Sequence, residues 1–393
     1  MSSETTRYPT SAYFSGNEMK LGVFCMNISG GMMMTSAAAN KLDWTENVDV
    51  ARKADQAGWE FLLPLGRWRG HGGPNNPNAE QYDSFTWAAA IATVTSNIHV
   101  FATCHVPVFH PMLAAKMAAT IDNISGGRFG MNIVSGWNGL EFGMFGLEQL
   151  PHDDRYTAAG EWLDIIERLW SEEDEVNHEG RYYRVARGYL QPKPVQRPRP
   201  LVVSAGTSQA GLDFALTRAD VCFQGGPDWE FVEQTAGRTR QRAAELDKKI
   251  ELLNFCSVVV KDTEQEARDY FHWYVDECGD FEAARALVDL TISGDSRSLP
   301  HEIAASYARA YIAGWGAMPL IGTAEQVVDQ LIRMKKTGYA GVALGWLDYT
   351  EGIDRFNAEV LPLMRQAGLR RAEAQTPNPV AGEAESPILK KST

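Results

Sequence analysis

Short apolar runs recur along the chain, and the segments between them return an apolar residue every three or four positions. The runs at 20–26, 61–65, 98–103, 128–134, 201–204, 219–223, 252–260 and 341–345 predict buried strands. The periodic segments at 44–57, 84–95, 111–124, 154–170, 323–336 and 352–364 predict amphipathic helices, with Gly58 and the Gly126-Gly127 pair as stops. Eight strands alternating with helices, with no repeat at a fixed period, predict an α/β fold of the (β/α)8 TIM-barrel type rather than a doubly wound sheet. Neither GxGxxG nor GxxxxGK, the glycine-rich turns a nucleotide-binding doubly wound fold needs, occurs in the sequence. One domain is expected over 19–370, between a flexible N-terminal stretch at 1–18 and a disordered tail at 371–393 rich in Ala, Pro, Glu and Lys. The stretch 264–317 is too long for one helix and a loop. It predicts a helical insertion before the last βα unit, serving as a lid or as an interface.

Composition narrows the classes. With 44% apolar residues in 393, the chain can fill a large core, and 11 Trp and 13 Met suit deep aromatic pockets as well as packing. A net charge of −13 argues against nucleic-acid or anionic-membrane partners. Cys25, Cys104, Cys222, Cys256 and Cys278 are scattered without CxxC spacing and read as reduced thiols in a cytoplasmic protein. No apolar run approaches the roughly 18 residues of a membrane span, and the N-terminal residues carry no signal-peptide core. No HxH or HExxH pattern occurs, so no metal site is expected.

Four features suggest chemistry. The run Ser125-Gly-Gly-Arg-Phe-Gly-Met-Asn-Ile-Val-Ser-Gly-Trp137 is a helix stop, a buried strand carrying one amide (Asn132), and a Gly-rich loop. Barrel enzymes place reactive groups at such strand ends. Leu201-Val-Val-Ser-Ala-Gly-Thr-Ser208 is a strand, a small-residue turn and a Ser at a helix start, which suits a phosphate or plain N-capping. Arg155-Tyr156 is a reasonable phosphate clamp, and Thr103 puts a hydroxyl at the barrel mouth. His105, at the same strand end, suits a general acid or base, a hydrogen bond to substrate nitrogen, or a structural role in the loop.

Together with Lys20-Leu-Gly-Val-Phe24, Ser96-Asn-Ile-His-Val100, Ala118-Ala-Thr-Ile-Asp122 and Glu141, these motifs resemble the bacterial-luciferase-like FMN-dependent monooxygenases, nearest the pyrimidine monooxygenase branch of uracil breakdown. The resemblance runs from about residue 20 to 225 and resumes over 321–364. It implies FMN, as FMNH2, bound at the C-terminal face of the barrel with O2 as co-substrate. It implies flavin contacts at Gly66, Arg67, Asn132, Glu141, Arg155, Tyr156, Gly206 and Ser208, and an oxygen pocket at Leu63, Thr103 and Asn132. It further implies a separate NAD(P)H:flavin reductase and a homodimer or homotetramer. The chain departs from that branch in the loop Asn27-Ile-Ser-Gly-Gly-Met-Met-Met34, at Gly66 and Arg67, and at His105, Pro107 and His110. Substrate contacts are therefore expected at Met32, Met34, His110, Trp137 and Trp346, for a small N-heterocyclic or substituted aromatic compound rather than uracil. A deazaflavin-dependent oxidoreductase on the same barrel and a non-catalytic flavin-binding protein are the alternatives.

Overall fold

The apolar runs pair side by side in the computed structural model, which describes residues 11–38, 41–171, 174–206, 208–291 and 301–371. In chain order the elements of the first half are β1 (Lys20–Phe24), α1 (Trp44–Gln56), β2 (Phe61–Leu63), α2 (Ser84–Val94), β3 (His99–His105), α3 (Pro111–Ser125), β4 (Phe129–Val134), α4 (Gly139–Met144) and α5 (His152–Ser171). There follow β5 (Val176–Glu179), β6 (Arg184–Gly188), β7 (Leu201–Ser204), α6 (Gln209–Arg218), β8 (Val221–Gln224), α7 (Trp229–Glu245), β9 (Glu251–Val260), α8 (Glu264–His272), α9 (Phe281–Thr291) and α10 (His301–Gly314). The chain then forms β10 (Met318–Gly322), α11 (Ala324–Thr337), β11 (Gly341–Gly345), α12 (Tyr349–Arg355) and α13 (Leu361–Gln366).

Parallel pairing runs β1-β2-β3-β4-β7-β8-β9-β11 and closes from β11 back to β1, giving the eight-stranded barrel. The period of two along each strand sorts side chains into two cores. Phe61, Leu63, Phe101, Leu201, Val203, Val221, Phe223 and Leu253 fill the barrel, whereas Leu62, Val100, Ala102, Met131, Ile133, Val202 and Leu344 face the helices. The barrel is packed, not hollow, at this level. A Cβ at Gly22 or Gly130 would lie 2.2 or 2.3 Å from the rings of Phe61 and Phe101, so these glycines make room for the aromatics.

Local chemistry sets the boundaries. Helix α3 stops because Gly126 adopts φ +66°, a left-handed cap natural to glycine. Strand β2 ends at Leu63 rather than at 65, because Pro64 has no N–H to donate. Asp43, Asp83, Asp228 and Asp348 cap the starts of α1, α2, α7 and α12. The short helix α4, the β5–β6 hairpin and β10 were not anticipated. The β5–β6 hairpin is largely exposed and polar, and β10 pairs with Cys256–Val260 of β9 outside the closed ring.

Residues 11–18, expected to be flexible, instead seal the barrel floor. Tyr13 is buried among Phe61, Phe101 and His99, and its hydroxyl donates to Glu251 Oε1 at 2.5 Å. Beside it Arg370 and Glu60 form a buried ion pair at 2.7 Å. Glu60 also accepts from the Leu21 N–H and the Ser15 hydroxyl, so both ends of the described chain are fastened to the floor. The expected tail at 372–393 lies outside the described residues.

The insertion comprises α8, a π turn over Trp273–Glu277, α9 and α10. It is tied to the loop after β1, where Met34 N–H donates to Ile312 O (3.3 Å) and Asp280 N–H to Met34 O (2.8 Å). It is also tied to the loop after β2, where Asn75 N–H donates to Asp280 Oδ2 (3.0 Å) and Trp315 Nε1 to Asn78 Oδ1 (3.2 Å). Among the described residues no helix is long and apolar enough to cross a membrane.

Candidate active site

A cavity of about 700 Å3 opens at the C-terminal ends of the strands, within the size range of small-molecule and cofactor sites. Its floor is the layer formed by Thr103 on β3 and Asn132 on β4, which are register partners. Thr103 Oγ1 donates to Pro64 O at 2.6 Å and so must accept the Asn132 Nδ2 hydrogen at 3.1 Å. This relay fixes which way the amide faces. Asn132 Oδ1 is left buried, on a residue that lines the cavity, with no donor. A buried amide oxygen without a donor is uncommon, and here it demands an N–H from whatever fills the space.

One end of the cavity is built for an anion. Arg155 and Tyr156, in the first turns of α5, line it together with Ala205, Gly206 and Ser208 at the start of α6. Arg155 Nη1 donates to Gly136 O at 2.6 Å, and its Nε is buried with no partner. Gly206 faces Gly211 so closely that a Cβ would lie 2.6 Å from the Gly211 backbone. Ser208 is the N-cap of α6, accepting from Gly211 N–H at 3.1 Å, so the capping and ligand-facing readings of this residue coexist. Unpaired N–H groups, the helix dipole and an Arg together favour phosphate.

The other end is aromatic and holds one charge pair. Arg67 is buried beside Glu141 at 3.2 Å, with guanidinium-to-ring distances of 5.0 Å to Trp137 and 5.5 Å to Trp315. Burial lowers the Arg67 pKa to about 10, against the opposing pull of Glu141, so it stays protonated at neutral pH. Burial raises the Glu141 carboxyl, countered by Arg67 and the Trp68 N–H. His105 also lines the cavity, and burial, then Arg67, lowers its pKa to about 4. It is therefore neutral at pH 7, able to donate or accept but not to act as a cation. Phe24, Phe223 and Phe255 form a further aromatic wall, with ring centroids 5.1–5.5 Å apart.

The family model for luciferase-like monooxygenases matches residues 19–341. The chain belongs to the luciferase-like monooxygenase family. This luciferase-like monooxygenase is 31% identical over 373 residues to the FMNH2-dependent dimethylsulfone monooxygenase of Pseudomonas fluorescens, covering 92% of this chain and 99% of that protein. It is 28% identical over 381 residues to the pyrimidine monooxygenase RutA of Acinetobacter baylyi, covering 93% and 100%. Its fold is similar to that of riboflavin lyase (RcaE), with a TM-score of 0.80 at 21% identity over 92% of this chain and 94% of that one.

Of the residues singled out in the sequence of this luciferase-like monooxygenase, Gly66, Arg67, Thr103, His105, Asn132, Trp137, Arg155, Tyr156, Gly206 and Ser208 line the one cavity. Five others do not. Glu141 lies behind Arg67. Leu63 lies one layer below Thr103, because Leu62 is level with Val100; Leu65 takes the cavity position instead. Another two, Met32 and Met34, are buried under the insertion among Leu287, Ile312 and Ala313. His110 caps the start of α3, clear of the cavity.

Trp346 makes a sixth. It follows β11 in the phase of Val342 and Leu344, so it faces outward against Trp59 and Phe356. The aromatic wall of Phe24, Phe223 and Phe255 was missed, although each sits on a predicted strand in the inward phase. Trp315, in Gly314-Trp315-Gly316, was missed as well; the flanking glycines were the available signal.

Proposed function

We propose that this monooxygenase receives reduced FMN from a separate NAD(P)H:flavin reductase and uses it with O2 to oxygenate and cleave a small N-heterocyclic or substituted aromatic compound. The observation that carries the reading is the unpaired Asn132 Oδ1, held by the Thr103–Pro64 relay at the cavity floor. A reduced isoalloxazine ring carries an N–H at N5 that this oxygen can accept, whereas the oxidised ring has no hydrogen there and keeps only the N–H between its two carbonyls. The residues present fit the whole cofactor. Arg155, Tyr156, Ser208 and the Gly206 turn would hold its phosphate, and Phe24, Phe223 and Phe255 offer faces for the ring.

When bound, reduced FMN supplies the two electrons that let one oxygen atom of O2 enter the substrate while the other leaves as water. The protein's part is positional. Asn132 orients the ring edge, Thr103 fixes Asn132, and the apolar wall with Leu65 keeps bulk water from the reacting atoms. His105, neutral and buried, is placed to hydrogen-bond substrate nitrogen. Two relatives named for dimethylsulfone and for pyrimidine support a small polar substrate. The reading places the protein in the cytoplasm as a homo-oligomer, alongside its reductase.

The test is an anaerobic titration with FMNH2, followed by oxygenated buffer and a panel of ring compounds under 18O2. The expected result is binding of FMNH2, suppression of hydrogen peroxide release by some compounds, and one labelled oxygen in their products. Turnover with a deazaflavin in the absence of O2 would instead establish the hydride-transfer alternative, and FMN binding without turnover on any compound would favour the flavin store.

A further inference from the structure

We propose that Trp315, on the insertion, is a positioning residue for the cofactor: it wedges Arg67 so that the free guanidinium donors meet the carbonyl oxygens of the flavin ring. The inference rests on the reading above and deepens it, because it makes the insertion part of the flavin site. Arg67 is 5% exposed and lines the cavity, yet its Nε and Nη1 have no partner. Only Nη2 is engaged, by Glu141 Oε1 at 3.2 Å and by Arg69 O at 3.4 Å. Buried guanidinium donors are normally satisfied, and the two carbonyl oxygens of an isoalloxazine ring are acceptors for them. Polar contacts through a single nitrogen leave a long side chain free to swing. Packing has to supply the rest of its orientation.

That packing is a pair of indoles. The guanidinium carbon lies 5.0 Å from the Trp137 ring centre and 5.5 Å from that of Trp315, and the two indoles meet edge to face at 6.2 Å. Trp315 holds its place from a strained backbone. Its φ is +59°, between Gly314 at +146° and Gly316 at +74°. A bulky residue is kept in that region only where its surroundings enforce it, as at ligand clamps. The enforcement here is specific. Asn78, fully buried in the loop after β2, directs Nδ2 to Ser29 O and Gly31 O, each at 3.0 Å. Its Oδ1 is thereby turned to the Trp315 indole N–H, at 3.2 Å. His71 packs edge to face against the same indole at 5.2 Å. Burial, then Arg67 and Arg69, lowers the His71 pKa to about 3, so it brings no further cation beside Arg67. The loops after β1 and β2 thus fix an insertion side chain against a flavin contact. The donors proposed for phosphate, at Arg155, Tyr156 and the start of α6, form a separate group, so the two ends can be told apart by ligand.

The experiment compares the parent, Trp315→Leu, Trp315→Phe and, as the direct control, Arg67→Met combined with Glu141→Gln, which removes the donors without stranding a buried carboxylate. Two quantities are read on each protein once thermal unfolding has shown that it folds. One is the affinity for FMN and for riboflavin, by fluorescence titration. The other is the carbonyl stretch of bound FMN, labelled with 13C at its carbonyl carbons, by infrared difference spectroscopy. Hydrogen bonds from a buried cation weaken a C=O bond, so at least one stretch should lie at lower frequency in the parent than in the double variant. Trp315→Leu should move that band up toward the double variant. It should also weaken FMN and riboflavin by the same factor, roughly 5- to 10-fold, as for one misplaced hydrogen bond. Trp315→Phe, which keeps an aromatic face but not the anchor on Asn78, should fall between.

An unmoved band in Trp315→Leu overturns the proposal whether or not affinity falls, because altered packing alone lowers affinity without touching the carbonyls. A band unmoved in the double variant overturns it too, since Arg67 then meets neither oxygen. Loss of FMN affinity with riboflavin unaffected would assign Trp315 to the phosphate end, with the same consequence. If Trp315→Leu does not fold, Trp315→Phe decides by the same band. The functional reading is judged apart. A parent that binds FMN with the lowered band but oxygenates no compound keeps this inference and loses that reading, whereas a parent that binds no flavin loses both.

Discussion

Replacing Thr103 by Val deletes the hydroxyl at the centre of the relay while nearly preserving shape. The hydroxyl makes two hydrogen bonds, to Pro64 O at 2.6 Å and from Asn132 Nδ2 at 3.1 Å, and Thr103 and Asn132 are 3% and 5% exposed. Losing both leaves a carbonyl and an amide N–H buried without partners, a cost of about 2–3 kcal/mol. The functional effect is separate. Without Thr103 the Asn132 amide has no reason to keep Oδ1 toward the cavity, so its preference for a ring N–H is lost. One hydrogen bond of about 1 kcal/mol then corresponds to a roughly 5- to 10-fold weaker affinity for FMNH2, with oxidised FMN little changed. Anaerobic titrations of Thr103→Val and Thr103→Ser with both redox forms measure the ratio, and thermal unfolding measures the stability cost. Thr103→Ser keeps the hydroxyl and should retain the parental ratio. If Val and Ser variants give the same FMNH2-to-FMN ratio, Thr103 does not orient Asn132 and the reasoning is wrong.

Arg370→Met strands Glu60 in the barrel floor and should destabilise the fold by about 3–5 kcal/mol in urea unfolding, whereas a double change with Glu60→Gln should recover part of the loss. Gly206→Ala pushes a methyl to 2.6 Å from the Gly211 backbone and should weaken FMN binding roughly tenfold in a fluorescence titration, while riboflavin, lacking phosphate, should be affected less. His105 has its pKa lowered to about 4 from an ordinary value of 6.5, so between these pH values the unfolded chain binds the extra proton. Stability should therefore fall as pH drops from about 6.5 to 4. His105→Gln should remove up to about 3 kcal/mol of that dependence in denaturant midpoints followed against pH.

The barrel was legible because its strands are buried on both faces and announce themselves as unbroken apolar runs. The β5–β6 hairpin carries no such run: Val176 and Val185 point inward while Glu179, Arg184 and Arg187 are exposed. Strand β10 was hidden by Pro319 in a five-residue segment. Motif chemistry picked out Asn132, Thr103, Arg155 and Ser208, which line the cavity, because amides, hydroxyls and Arg at strand and helix ends stand out from an apolar background. Depth and phase were harder to read. Leu63 differs from Leu65 only by one layer, and Trp346 differs from an inward-facing neighbour only by one residue of strand phase. Trp315 comes from a segment whose place over the barrel is set by contacts with 27–35 and 75–78, which no local pattern encodes.

Those contacts bear on how such an enzyme diversifies. The end proposed to hold phosphate rests on α5 and α6, whereas the Arg67 end is a composite of the loops after β1 and β2 and of the insertion, pinned to one another through Met34, Asn75, Asn78 and Asp280. Exchange of parts between related proteins would respect that seam. A chimera that imports the insertion together with both loops carries a matched set, and one that imports the insertion alone inherits a roof whose fasteners no longer meet their holes.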